Sequence, residues 1–208
     1  MNLKAKRARV PQDPRIAFFD HHAPNWDQTG PDPAATLRRL NELAALLVLK
    51  PGMDLLEAGC GTGQITSWLV EKTRPGRVVA ADFSPLMLAQ AKKRGVDADF
   101  VLMDICHEKP SKRKFDVVLC FNSFPHFRDK AAALRQIARM LKPSGQLIVL
   151  HFTGSEKLNA FHHNVGGPVA HDHLPPVSQW PALLQPAGLQ LAQSIDRDDL
   201  FFIRALKT

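Results

Sequence analysis

Glycine recurs three times in LLEAGCGTGQIT, Leu55 to Thr66, at Gly59, Gly61 and Gly63. An apolar run precedes the stretch and a helical pattern follows it. Strand, glycine loop and helix in that order bring backbone N–H groups and a helix N-terminus to one sheet edge, where doubly wound folds take cofactors. Phosphate is the usual ligand there, but neither phosphate pattern fits. A P-loop needs Lys-Ser/Thr after its last glycine, and Gln64 and Ile65 follow Gly63. The dinucleotide fingerprint needs its third glycine one position later, where Gln64 stands.

Carboxylates accompany the glycines. Glu57 precedes the loop, Asp82 ends a second apolar run and Asp104 ends a third. Acids at three successive strand ends face one crevice. A ribose wants a carboxylate to accept from its hydroxyls, and an adenine amino group wants an acceptor. A cationic ligand without phosphates gains from acids. The ligand that fits is S-adenosylmethionine, a nucleoside carrying a sulfonium and an amino acid.

Histidines supply the second set of candidates. His126 follows the fourth apolar run and His151 ends the fifth. His162, His163, His171 and His173 crowd NAFHHNVGGPVAHDH, and His21 and His22 lie near the N-terminus. Imidazole titrates near neutrality and serves as base or metal ligand. Displacement at the sulfonium of such a ligand would need an aligned nucleophile, exclusion of water and sometimes removal of a proton. His126, His151 and His162 are therefore the catalytic candidates, and His163 and His173 are expected at the surface. Asp172 between two imidazoles is a metal-like arrangement, but no metal is expected.

Alternating elements must position these groups. TGPDPAATLRRLNELAALLVLK passes from loop to helix, with Leu37, Leu40, Ala44 and Leu47 at helical spacing. LLEAG, RVVAAD, ADFVLMD, FDVVLCF and QLIVLHF read as five strands, each a continuous apolar run of the kind a covered parallel sheet requires. SPLMLAQAKKRG is a helix with Ser84 as N-cap, Pro85 in the first turn and Gly95 as stop. A helix near Ser178–Leu184 precedes two further strands, LQLAQSI and DLFFIRALK. Ser155 is expected to cap a helix running to about His163, with Leu158 and His162 on one face, Phe161 beside them, and Gly166 and Gly167 ending it.

The 208 residues suit one domain, and an apolar fraction of 45% suits a globular core. No apolar run is long enough to span a membrane and no N-terminal signal pattern appears. Three scattered cysteines, Cys60, Cys106 and Cys120, form no CxxC pattern and point to a reducing, cytoplasmic compartment. The formal charge of +7 owes part to Lys4, Lys6, Arg7, Arg9 and Arg15. That cluster reads as a solvated tail more readily than as a nucleic-acid arm, and the rest of the chain mixes both signs without the aromatic-basic interleaving that stacks single-stranded bases.

The chain resembles the class I S-adenosylmethionine-dependent methyltransferases in LLEAGCGTG, VVAADFSPLMLAQA, DFVLMDI, FDVVLCFNSFPHF and ARMLKPSGQLIVLHF. Its flanks resemble the small-molecule branch that includes quinone methyltransferases, with FFDHHAPNWD similar to the helix that covers the cofactor. The resemblance implies an α/β, Rossmann-like doubly wound sheet of seven strands in the order 3-2-1-4-5-7-6, the last strand antiparallel. It implies that Gly59, Gly61 and Gly63 admit the methionine part and that Glu57 holds the loop and the amino group. It further implies that Asp82 binds the ribose, Phe83 lies beside the adenine, Asp104 faces the adenine amino group, and Ile105 offers a backbone N–H. Phe121 and Asn122 would line the floor, with Cys60, Met87 and Trp26 at the cofactor; Cys60 reads as a small packed residue, not a nucleophile. A histidine at the position of His126 is common in the family and often shapes the pocket. Within a single domain, 1–208, residues 1–33 are expected to form a basic tail and lid, and residues 153–177 a cap over a small-molecule acceptor.

Two other readings stay open at this level. An RNA or protein methyltransferase would use the basic arm, although the Asn-Pro-Pro-aromatic signature is absent where strand four ends CFNSFPHF. A non-catalytic regulator would bind the cofactor and lack an acceptor pocket. The acceptor, the atom methylated and the oligomeric state are not legible.

Overall fold

The computed structural model describes residues 13–107 and 113–208. The tail residues Lys4, Lys6, Arg7 and Arg9 lie outside them. Seven strands form one sheet: β1 Leu55–Ala58, β2 Val78–Asp82, β3 Asp99–Leu102, β4 Phe115–Phe121, β5 Leu141–His151, β6 Leu189–Arg197 and β7 Leu200–Lys207. The order is β3-β2-β1-β4-β5-β7-β6. Pairs β1–β2, β1–β4, β2–β3 and β4–β5 are parallel, and β7 runs antiparallel to both β5 and β6. This is the expected doubly wound sheet.

Strand periodicity divides the core into two layers. Leu56, Val79, Val118, Val149 and Ile203 face one side, and Leu55, Val78, Val117, Ile148 and Phe202 face the other. On the first side lie α7, Lys130–Met140, and the short α9, Trp180–Leu184, through Leu134, Ile137 and Trp180. On the second lie α3, Pro33–Glu42, α4, Ala44–Leu47, and α5, Thr66–Thr73, through Leu40, Leu47, Trp68 and Leu69. Helix α6, Pro85–Lys93, starts as the sequence predicts: the Ser84 hydroxyl accepts from Met87 N at 3.1 Å.

Strand β3 sits at the sheet edge, where the expected order puts it, but it is less covered than its apolar run suggests, with Asp99 and Leu102 exposed and Phe100 and Val101 half-buried. An edge strand lacks a neighbour on one side, so its apolar residues are only partly covered.

Three elements surround the C-terminal sheet edge. Helices α1, Pro14–His22, and α2, Trp26–Thr29, cross it from the N-terminal side, and α8, Ser155–Val165, returns over it after β5. Gly166 and Gly167, with φ of 73° and 59°, end α8 as expected. Its start is a correction. Gly154 takes the N-cap position, and Ser155 donates from N and Oγ to the Asp196 carboxylate at 2.9 and 2.6 Å. An acid on β6 thus does the capping expected of Ser155. Phe161 lies beside His162 as expected, with ring centroids 5.9 Å apart, and is 60% exposed.

Candidate active site

The glycine loop leaves β1 under steric constraint. Gly59 has φ 82°, and a Cβ there would lie 2.4 Å from the Ser123 Cβ. Ser123 is itself fixed, its Oγ donating to Ala58 O at 2.6 Å. Gly61, φ 54°, is different: a Cβ there would meet nothing within 4 Å. The backbone at Gly61 therefore borders open space, as a closely approached ligand requires. Gly63 belongs elsewhere. Its Cβ would press on Ala91 at 3.0 Å, so this glycine serves the contact of the loop with α6 and does not line the cleft.

The three acids stand where the strand ends predict. Glu57 is buried, its Oε2 accepting from the Thr66 hydroxyl at 2.7 Å, and burial pushes its carboxyl up to about 8. Asp82 accepts from Gly61 N at 2.8 Å and Ser84 N at 2.9 Å, and burial raises its carboxyl above the usual range against the pull of those donors. Asp104 accepts from Cys106 N at 2.8 Å and has the His107 ring at 2.7 Å. All three open on one cleft. Its lining includes the expected cofactor residues Glu57, Gly59, Cys60, Gly61, Asp82, Phe83, Met87, Asp104, Ile105, Phe121, Asn122 and Trp26, together with His126. Asn122 is held at φ 52° where the chain leaves β4. Burial pushes the Cys60 and Cys120 thiols far up and Cys106 to about 11, which leaves none of them a thiolate nucleophile near neutral pH.

Phe19 and Trp26 of the N-terminal segment line this cleft. Phe19 packs on Trp26, Phe83 and His126, with ring centroids 5.8, 5.6 and 5.0 Å apart. Aspartates tie the segment down. Asp20 accepts from the Ser84 hydroxyl at 2.6 Å and Leu86 N at 3.1 Å, adding a second acceptor at the start of α6. Asp27 accepts from the Thr62 hydroxyl at 2.7 Å and pairs with Arg94. Asp13 caps α1 by accepting from Arg15 N at 3.0 Å. Sequence reasoning assigned these three acids no role, because Asp20 and Asp27 find their partners 64 and 35 positions away.

The three candidate histidines meet unequal fates. His126 lines the cleft; its Nδ1 lies 2.8 Å from Asp172 Oδ2 and its ring 4.9 Å from that of His162. His162 is buried behind it, Nδ1 at 2.6 Å from the Asp172 carbonyl, and burial, with His126 nearby, lowers its basicity. His151 is 2% exposed, touches Phe201 and does not line the cleft. Burial pushes it down to about 3, so it is a neutral core residue. His163 and His173 are exposed. Asp172 does join imidazoles, but its other partner is Arg15, and no group of three or more His, Cys, Asp or Glu side chains suited to a metal occurs among the described residues.

Residues 55–145 match a family model described as a methyltransferase domain. The chain is 30% identical over 196 residues to methyltransferase GfsG of Streptomyces halstedii, covering 88% of this chain and 70% of that protein. It is 34% identical over 122 residues to the demethylmenaquinone methyltransferase of Thermus thermophilus, covering 57% and 56%. The chain spans only 39% to 56% of the length of this and three other curated relatives. In fold it is similar to magnesium protoporphyrin IX methyltransferase of Synechocystis with bound S-adenosylhomocysteine, with TM-score 0.64, 17% identity, and 92% and 94% of the two chains covered.

Proposed function

We propose, because this chain belongs to the class I S-adenosylmethionine-dependent methyltransferases, that it transfers a methyl group to a small-molecule acceptor held under the N-terminal segment. One observation carries the reading. Carboxylates at three successive strand ends border a cleft whose glycine loop leaves its backbone bare at Gly61. That donor and acceptor set fits a cationic nucleoside: Glu57 for the ammonium, Asp82 for the ribose hydroxyls, Asp104 for the adenine amino group. Bound there, S-adenosylmethionine supplies an electrophilic methyl on a good leaving group. The chain's own work is then to orient the acceptor, exclude water through Phe19 and Trp26, and accept a proton on His126. A cleft roofed by aromatics supports a small acceptor over folded RNA, which needs an open basic surface.

Among the described residues no helix is long and apolar enough to cross a membrane. We place the protein in the cytoplasm on its three unpaired, buried cysteines.

Titration calorimetry with S-adenosylmethionine and S-adenosylhomocysteine tests the cofactor assignment. Asp82→Ala is expected to weaken both by about 1–3 kcal/mol, the cost of leaving hydroxyls unpaired. An unchanged affinity in that variant removes Asp82 from the ribose. His126→Gln is expected to lower labelled-methyl transfer to fractionated cell extract by about 100-fold or more while sparing cofactor affinity. Full transfer by this variant would take His126 out of catalysis.

A further inference from the structure

A chain of contacts runs from the N-terminal segment to the cleft through Arg15, Asp172 and His126. Asp172 is 1% exposed, yet both its oxygens are used. Arg15 Nε donates to Oδ1 at 2.8 Å and to Oδ2 at 3.1 Å, and the His126 Nδ1 lies 2.8 Å from Oδ2. Burial alone would push this carboxyl up; the bonds from His126 and Arg15 outweigh it and hold Asp172 below the usual carboxylate range. An ionised carboxylate only accepts, so Nδ1 of His126 carries a proton. On the neutral ring the lone pair then sits on Nε2, the nitrogen not taken up by Asp172.

We propose that Asp172 is a positioning residue that fixes the tautomer of His126, and that Arg15, carried on α1, switches His126 to the neutral base by neutralising Asp172 when the N-terminal segment docks. This rests on the methyl-transfer reading of the cleft. With Arg15 in place the ring faces a carboxylate whose charge is already paired. With Arg15 withdrawn the ring faces a buried carboxylate alone, which holds a second proton on the imidazole. An imidazolium has no lone pair and cannot take a proton from an acceptor. Docking therefore excludes water and frees the base in one movement, and the acceptor it serves is one whose nucleophile must lose a proton to Nε2.

The other charged and titratable groups around the ring do not travel with Arg15, apart from Asp13. His162 on α8 and His151 on β5 are kept neutral by burial. Asp82 is fixed at the end of β2 by two backbone N–H groups. Lys130, at the start of α7, is anchored on the Pro125 and Phe127 carbonyls at 3.0 and 3.3 Å. Asp13 moves with α1, but it is bonded to Arg15 itself at 3.1 Å, with Arg128 at 3.8 Å.

The test reads the ring and needs no acceptor. The His126 ring signal is followed by NMR against pH in the full chain labelled at histidine, and assigned by its loss in His126→Gln. Arg15→Gln is expected to raise the titration midpoint by about one pH unit, Asp172→Asn to lower it by about one unit, and Arg15→Lys to return it toward wild type. Opposite shifts from loss of the carboxylate and loss of the cation paired with it are not produced by loss of packing. An unmoved midpoint in Arg15→Gln, or shifts of the same sign in Arg15→Gln and Asp172→Asn, overturns the proposal. If Asp172→Asn does not fold, the Arg15→Gln and Arg15→Lys pair still decides it. Calorimetry of wild type with S-adenosylhomocysteine is run beside it. Absence of binding there overturns the cofactor reading, whereas the ring titration judges the switch.

Discussion

Gly59→Ala is expected to destabilise the protein by about 2–4 kcal/mol and to remove measurable cofactor binding. Two costs add. The residue sits at φ 82°, where an L side chain is strained. The new methyl would also stand 2.4 Å from the Ser123 Cβ, inside contact distance. Ser123 has no room to give way, because it is buried and its hydroxyl is committed to Ala58 O. Relief must come from moving the loop away from β4, which displaces Gly61 and its bond to Asp82. The comparison is Gly61→Ala. It meets open space, so it should cost only the backbone strain, about 1 kcal/mol, while its methyl intrudes on the ligand. Denaturant melts and calorimetry on both variants separate fold from site. Equal stabilities in the two would refute the steric account.

A second large effect belongs to Glu57. Its native carboxyl titrates near 8, against about 4.3 in the unfolded chain. Between those values the native state binds the extra proton, so stability falls as pH rises through the window. His151 acts the other way. Its native value near 3 lies below the unfolded value of about 6.5, so its contribution is present above pH 6.5 and lost as pH falls toward 3. The two slopes oppose each other below pH 6.5, and comparison of wild type with Glu57→Gln isolates the Glu57 slope, because the other shifted groups, Asp82 and His162 among them, are common to both proteins. Ligand-free protein is therefore expected to lose stability relative to Glu57→Gln as pH rises from 6.5 to 8. By pH 9 the variant should be the more stable by on the order of 4 kcal/mol. Chemical denaturation across pH 6–9 measures this, and parallel curves for the two proteins would show that Glu57 is already ionised. A bound ammonium beside Glu57 should also expel its proton, read as a buffer-dependent heat of binding at pH 7.

What was legible in the sequence was what is local. Each central strand carries its burial in a continuous apolar run, and the glycines and acids of the cleft sit close to strand ends. The sheet order and Asp82, Asp104 and Gly61 at one edge followed from those segments and from the family they resemble. Local pattern could not show which apolar run lies at the edge, and so β3 read like its covered neighbours. Nor could it separate three histidines that all follow strand ends. His126 escapes into the cleft from a short helical turn, whereas His151 continues the inward face of β5 opposite Phe201. Arg15 was read as one more charge on a basic tail, because its partner is 157 positions away. Asp196 capping α8 was hidden for the same reason, since a nearby serine offered a sufficient local explanation.

That separation bears on the order in which the molecule assembles. Synthesis makes Arg15 long before Asp172, and Asp20 and Asp27 wait 64 and 35 positions for Ser84 and Thr62. Contacts of such span carry a large loop-closure cost until the intervening chain is organised. The central strands pair with one another without the N-terminal segment, whereas Asp172 lies beyond β5, so α1 finds its full set of partners only after that stretch has folded back. The first helix of the described chain is thus among the last to be secured. Opening it costs a few polar contacts and one aromatic cluster, not the sheet. Amide exchange should accordingly divide the protein into a slow central sheet and a faster N-terminal segment whose protection rises with cofactor.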